Sequence, residues 1–337
     1  MTRYDIIGDI HGCGKQIRAL LGELGYEPDG SDIYRHPDRT AVFVGDLVDR
    51  GKEQREVLQI VKAMVDAGSA LIVMGNHEFN AVCYATRDPR NPSDFLRTHE
   101  KESNTEGHLA FLKQLETSEQ EHYIEWFKTL PLWLELEGPE GQKLRVVHAC
   151  WHEPSIEIVK KHCNDSNQLL TVENFARASR EDSELFTAVE ILLKGPEISL
   201  TKHGQAPYYD HQGTKRTKAR VRWWDHNART LREIADVRDM QTDPERKEDY
   251  PPLPDDEVED FDFSLIYTDP VPLVYGHYWF DWAEHQEDWT EHTACVDFSA
   301  VKDTGRLVAY RWDGKPTIAR ENYVPHTTDA VAPTPSD

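Results

Sequence analysis

The sequence predicts an α/β fold. Short apolar runs alternate with amphipathic segments through the first third of the chain, strand-length apolar runs return near its C-terminus, and glycine-flanked polar blocks follow directly on several of these runs. Alternating strands and helices imply βαβ units around a parallel sheet, and open α/β sheets gather their ligands just past the C-terminal ends of the strands.

The first strand is expected at residues 4–8. A helix at 16–24 follows, with Ile17, Leu20, Leu21 and Leu24 at helical spacing. A second strand at 41–44 leads to a helix at 55–67, where Val57, Leu58, Val61, Met64 and Val65 share one face, and a third strand lies at 70–74. Residues 88–130 are expected to be helical and polar, and residues 144–147 form another strand ending at His148. From 154 to 270 the alternation fades into an inserted helical cap, carrying SIEIVKKH, ELFTAVEILLK and the basic run KRTKARVRWW. Within it, residues 240–262 are rich in Asp, Glu and Pro and are expected to form a long exposed loop. Strands return at 272–275, 293–298 and 307–312. Residues 1–322 are expected to form a single domain, with 323–337 a disordered tail.

Composition narrows the function classes. Of 337 residues 38% are apolar and 29% charged, which suits a well-solvated globular chain with a core that needs no staples. No run approaches the ~18 apolar residues of a membrane span. The opening MTRYDIIGD has no secretory signal pattern, so a cytoplasmic location is expected. The five cysteines are scattered, without CxxC spacing, which argues against a disulfide framework or a zinc–thiolate site. A formal net charge of −23 repels nucleic acid, so long nucleic acid is not the expected substrate.

Three segments and two single residues carry the chemistry. The segments are Gly8-Asp9-Ile10-His11-Gly12, Gly45-Asp46-Leu47-Val48-Asp49-Arg50-Gly51 and Gly75-Asn76-His77-Glu78; the single residues are His148 and His277. Carboxylates, an amide and imidazoles converging on one sheet edge are what a pair of hard or borderline divalent cations requires. Turn preference accounts for Asp and Asn at such places, but not for histidine. His152, His203, His211, His226 and His285 follow no strand and are expected at the surface. Cys13 is read as a packing residue.

The three ordered blocks resemble the signature of the calcineurin-like metallophosphoesterases. The Asp49-Arg50-Gly51 ending and Glu78 are similar to the phosphoprotein-phosphatase branch, which includes serine/threonine phosphatases and diadenosine tetraphosphate hydrolases. YDIIGDIHGC and GELGYEPDG look closest to its bacterial members, including the phosphatase module of polynucleotide kinase-phosphatase. The match is close over roughly the first 85 residues and beyond them rests on the strand-end histidines. The resemblance implies a four-layer α/β/β/α sandwich and two divalent metal ions. Asp9 and His11 would hold the first, Asp46 would bridge both, and Asn76, His148 and His277 would complete the second. A bridging carboxylate sets such ions about 3.5–4 Å apart, and a water between them loses its proton near neutral pH and attacks phosphorus.

By the same resemblance His77 is the general acid, Asp49 orients it, and Arg50 forks onto the phosphate oxygens. A second phosphate-binding arginine is expected in the cap, at Arg222 or else Arg220. Mixed oxygen and nitrogen ligands admit manganese, iron, zinc, nickel or cobalt, with manganese favoured. The expected activity is hydrolysis of phosphomonoesters or phosphoanhydrides, with a small phosphorylated metabolite or nucleotide as leading substrate. Dinucleoside polyphosphate and phosphoprotein are alternatives; phosphodiester hydrolysis or a catalytically dead binding module ranks lower. One departure stands out: family members usually follow the strand-end histidine at this position with a small residue and glycine, whereas His148 precedes Ala149-Cys150-Trp151-His152. An indole there would be expected to reshape the substrate cleft.

Overall fold

Two sheets carry the residues singled out above. The computed structural model describes residues 3–327 apart from 211–212, 239, 244, 247 and 284–288. In the larger sheet the strand order is Asp297–Phe298, Arg306–Trp312, Arg3–Ile7, Arg39–Phe43, Ala70–Ile72, with Tyr323–Pro325 also paired to Arg306–Trp312. Arg3–Ile7, Arg39–Phe43 and Ala70–Ile72 run parallel. The connections between them are the helices Gly14–Leu24 and Gln54–Asp66, as parallel neighbours require. Ile17, Leu20 and Leu21 on the first helix and Val57, Leu58 and Val61 on the second are fully buried, each stabilising the fold by roughly 1.5–3 kcal/mol relative to an exposed side chain.

The second sheet has the order Thr293–Cys295, Leu273–Tyr275, Lys143–Val147, Trp133–Glu137. The first three strands are parallel and the last is antiparallel. Residues of both sheets contribute to one continuous apolar cluster. The strands that precede the polar blocks are buried on both faces, as Ala41, Val42 and Phe43 illustrate. That explains why they read as unbroken apolar runs rather than alternating ones.

Several expectations require correction. Residues 88–130 do not begin as helix: Arg87–Asp88 and Asn91–Phe95 pair as a hairpin before the helices Glu102–Gly107, Leu109–Gln114 and Thr117–Phe127. Trp133–Glu137 is a strand, with Trp133 and Leu136 buried, that the acidic WLELE run concealed. The 154–270 segment has its longer helices in its first part, with Glu153–His162, Val172–Ala178 and Glu184–Lys194. It continues as small antiparallel sheets, one of order Glu197–Ser199, Lys218–Val221, Ala235–Asp236. The basic run thus supplies strand Lys218–Val221, with Ala219 and Val221 facing the core.

The acidic segment is tied down rather than free. Leu253 and Val258 are buried, Leu231 donates its N–H to the Asp256 carbonyl at 3.0 Å, and Val258 donates to the Arg229 carbonyl at 3.1 Å. Tyr323–Pro325, placed in the tail by sequence, is a sheet strand with Tyr323 buried against the core; residues 328–337 lie outside the described residues. No helix among the described residues is long and apolar enough to cross a membrane.

Candidate active site

Strand ends deliver the side chains. Asp9 and Asp46 each lie within three residues of their strands' C-termini, His148 directly follows Lys143–Val147, His277 follows Leu273–Tyr275 by two residues, and Asn76 opens the helix Asn76–Ala85. The backbone there is unusual. His11 (φ 46°), Asp46 (52°), Asp49 (70°), Arg50 (69°), His277 (71°) and Trp279 (54°) all occupy the left-handed region. Non-glycine residues adopt it at a cost, sustained where the surrounding structure imposes it. The flanking glycines make that possible. A Cβ on Gly45 would lie 2.4 Å from the Gly75 nitrogen, and one on Gly276 would lie 2.1 Å from Asp9 Oδ1.

Glu78 ties the second block to the third. Its carboxylate accepts from the N–H groups of Asp46 and Leu47, each at 2.8 Å, and of Gly75 at 3.0 Å. Burial and the nearby Asp46 charge push this carboxyl up to about 7.

Asp46 sits at the centre. Its Oδ2 lies 3.6 Å from His11 Nε2 and 3.9 Å from His77 Nε2; its Oδ1 lies 3.5 Å from His148 Nε2. Potential ligand atoms of His11, Asp46 and His77 fall within 4.8 Å of one another, and so do those of Asp46, His148 and His277. One carboxylate is therefore common to two clusters. Asp9 joins neither triplet; its oxygens accept the His277 backbone N–H at 3.3 and 3.2 Å. Asn76 Oδ1 lies 3.1 Å from His148 Nε2.

The chemistry of this set fits cations. His11 Nδ1 is 2.8 Å from the Val48 carbonyl and His148 Nδ1 is 2.8 Å from the Val44 carbonyl. A carbonyl can only accept, so each ring donates through Nδ1 and, when neutral, turns the lone pair of Nε2 inward, the orientation metal-binding imidazoles adopt. His11 Nε2 and His277 Nε2 are buried without hydrogen-bond partners. Burial, with the Arg50 and His77 charges, pulls the His11 ring down to about 3, and burial with Arg220 holds His277 well below its ordinary value. Both rings therefore keep their lone pairs at neutral pH. Burial drives Asp9 upward, reinforced by Asp297 and Asp46; burial likewise raises Asp297. Buried acceptors and mutually repelling carboxylates are what divalent cations neutralise.

Beside this centre, His77 Nδ1 lies 2.6 Å from Asp49 Oδ2, and Arg50 Nη2 lies 3.5 Å from His77 Nε2. Burial opposes ionisation of Asp49, but hydrogen bonds from His108 and His77 bring its carboxyl down to about 2. Burial likewise opposes a charged His77, yet Asp46 and Asp49 leave that ring raised. The arrangement places an imidazole whose protonated form is favoured by two carboxylates next to a guanidinium.

A family model for calcineurin-like phosphoesterases matches residues 2–277. The chain belongs to the calcineurin-like phosphoesterase family. Among its relatives, the asymmetrical bis(5'-nucleosyl)-tetraphosphatase PrpE of Bacillus velezensis is 37% identical over 131 residues, covering 39% of this chain and 50% of the relative. The symmetrical bis(5'-nucleosyl)-tetraphosphatase of Aromatoleum aromaticum is 32% identical over 134 residues, covering 39% and 40%. The chain thus spans about half or less of the length of these curated relatives. A solved structure, the cold-active protein-tyrosine phosphatase of a psychrophile Shewanella species, aligns over 96% of this chain and 80% of its own at 13% identity, with a TM-score of 0.41.

The phosphoesterase site opens into a cavity of about 1430 Å³ whose lining includes Asp46, Arg50, Asn76, His277 and Trp279 together with Lys194, Lys218, Arg220 and Arg238. Arg220 is among the lining residues and Arg222 is not. Arg220 Nη1 donates to the His277 carbonyl at 3.3 Å; the backbone N–H of Arg222 donates to the Ile234 carbonyl at 2.7 Å. Trp151 does not line the cleft: it is buried, donates Nε1–H to Glu153 at 2.8 Å and stacks on Arg145 at 4.7 Å. His152 is buried rather than exposed, with Nδ1 2.8 Å from Ser155 Oγ. His203 is half-buried and His226 exposed, while His211 and His285 lie outside the described residues. Burial, with Glu53 nearby, pushes the Cys13 thiol up to about 12, in keeping with a packing residue.

Three site residues escaped the sequence. His108 lies between two short helices with no preceding strand. Trp279 stands two residues beyond His277, where motif reading stopped. Asp297 begins a strand just beyond Thr293–Cys295 and is buried; a carboxylate following an apolar strand was a usable signal.

Proposed function

We propose that this phosphoesterase is a two-cation hydrolase of phosphomonoesters or phosphoanhydrides, with small phosphorylated metabolites or nucleotides as its substrate class. The observation that carries the proposal is the Asp46 carboxylate, whose two oxygens face imidazoles of both clusters. Asp9, His11 and Asp46 would hold one cation, and Asp46, Asn76, His148 and His277 the other, with manganese the favoured ion. When bound, the cations supply Lewis acidity at the phosphoryl oxygens and make a water nucleophilic near neutral pH. Arg50 binds the phosphoryl oxygens, His77 donates a proton to the leaving oxygen, and Asp49 orients His77. Arg220, rather than Arg222, is the second phosphate contact.

The proposal includes a four-layer α/β/β/α sandwich over residues 1–322 with the cap inserted at about 154–270, including the acidic segment 240–262. The small sheets described above make that cap mixed rather than helical. All five cysteines are unpaired and buried, which supports a reducing, cytoplasmic setting.

A second reading, dinucleoside polyphosphate hydrolysis, is favoured by the cavity's volume of about 1430 Å³, by the cations Arg216, Lys218, Arg220 and Arg238 among its lining, and by the names of the relatives. A substrate panel in manganese tests both: nucleotides, sugar phosphates, diadenosine tetraphosphate, phosphopeptides and bis-p-nitrophenyl phosphate. Monoesters or anhydrides should exceed the diester in kcat/KM by at least about a hundredfold. A preferred diester, or turnover indifferent to metal, would refute the proposal.

A further inference from the structure

His108 carries no strand-end signal and stands outside the proposed cation ligands. Its ring is nevertheless bonded to the carboxylate that orients His77. His108 Nδ1 lies 2.9 Å from Asp49 Oδ2, the same oxygen that lies 2.6 Å from His77 Nδ1. Asp49 Oδ1 is buried and has no hydrogen-bond partner. The main chain of Asp49 is already fixed, its N–H donating to Gln54 Oε1 at 2.8 Å and its carbonyl accepting from Gln54 Nε2 at 3.1 Å. What remains free is rotation of the carboxylate. Two imidazoles converging on one oxygen remove that freedom; His77 alone would leave the group able to swing between its two oxygens.

The surroundings of His108 point the same way. The ring is 2% exposed, packs against Tyr84 at a centroid distance of 5.5 Å, and leaves Nε2 without a partner. Burying an unpaired ring nitrogen is unfavourable, and an apolar side chain would avoid it. The polar contact that offsets this is the one to Asp49.

We propose that His108 is a positioning residue for the proton donor: its Nδ1–H on Asp49 Oδ2 locks the carboxylate that aims His77. The proposal rests on reading His77 as the general acid. It predicts that removing the donor misaims His77 without disturbing phosphate binding, and that an amide N–H at the same place restores the aim.

The test compares His108→Phe, which keeps ring volume without the donor, with His108→Asn, which keeps a donor, each alone and combined with His77→Ala. Substrates are an alkyl phosphate, which needs leaving-group protonation, and p-nitrophenyl phosphate, which hardly does. His108→Phe should lower kcat on the alkyl ester about tenfold or more, leave KM and p-nitrophenyl phosphate turnover within about twofold, and add nothing to His77→Ala. His108→Asn should recover most of the alkyl-ester rate. Independently of turnover, proton NMR of the ring N–H groups should show protected, low-field signals for both His77 and His108, with the His77 signal shifted in His108→Phe and kept in His108→Asn.

Equal losses on both esters in His108→Phe, or full additivity with a His77→Ala that does distinguish the esters, would overturn the proposal alone. A His77→Ala that slows both esters equally would remove the general-acid reading and the proposal with it. Should His108→Phe not fold, absence of a protected His108 Nδ1–H signal in the wild-type protein would still overturn it.

Discussion

The Arg50 guanidinium carbon lies 3.7 Å from the centroid of the Trp279 ring. The residue that carries the indole is itself held: the backbone N–H of Trp279 donates to Asp297 Oδ2 at 3.1 Å, its φ is 54°, and Lys302 Nζ stands 5.2 Å from the ring. Stacking fixes the plane of a guanidinium while leaving its N–H edge free for phosphate. Trp279→Ala should therefore weaken competitive inhibition by inorganic phosphate about 2- to 30-fold, the equivalent of about 0.5–2 kcal/mol of cation–π interaction. Trp279→Phe should lose less, and Trp279→Ala should add nothing to Arg50→Ala. Inhibition constants for the wild type, the three single variants and the double variant check this; additive losses would show that the indole acts otherwise.

The two cap arginines should separate cleanly. Arg220 lies on strand Lys218–Val221, reaches the His277 carbonyl and lines the cavity. Arg220→Ala should raise the phosphate inhibition constant by roughly 10–100-fold, as expected for a lost charge-assisted hydrogen bond. Arg222→Ala should change it by less than about twofold. The same inhibition assay decides, and the reverse ranking would restore Arg222 as the phosphate contact.

How much of this was legible in advance follows the physics of each element. Doubly buried parallel strands are continuous apolar runs, so Arg39–Phe43 and Ala70–Ile72 announced themselves, and the polar blocks behind them were visible because nothing else puts histidine on such turns. Trp133–Glu137 was hidden because only Trp133 and Leu136 of its five residues are buried and two glutamates interrupt it, at the edge of its sheet. The proposed choice of Arg220 over Arg222 has no signal in the sequence because it rests on the strand pairing of Arg220 with Glu197 and Asp236, contacts of long sequence separation. His108 was invisible for the same reason, since its meaning comes from Asp49, 59 residues away.

The cap should show an acid-sensitive joint at Asp236. Burial pushes this carboxyl up, but hydrogen bonds from Arg238 at 2.8 and 2.7 Å, with its charge and that of Arg220, hold it below its ordinary value. A carboxyl depressed in the folded state contributes stability that is present above its unfolded value, near 3.9. That contribution is lost as pH falls through the lower folded value. Arg238→Ala leaves burial unopposed by its strongest partner, so acid unfolding should begin at higher pH. Tryptophan fluorescence followed through an acid titration checks this; an unchanged midpoint would show the pair to be energetically silent.

The central claim is that Asp46 serves two cations at once. Metal content per chain, measured on the purified protein after equilibration with manganese and removal of free ion, tests it most directly. The expected result is two ions per chain in the wild type and one or fewer in Asp46→Asn, with hydrolysis lost in the variant. A wild-type protein that is fully active with a single ion, or an Asp46→Asn variant that still holds two, would contradict it.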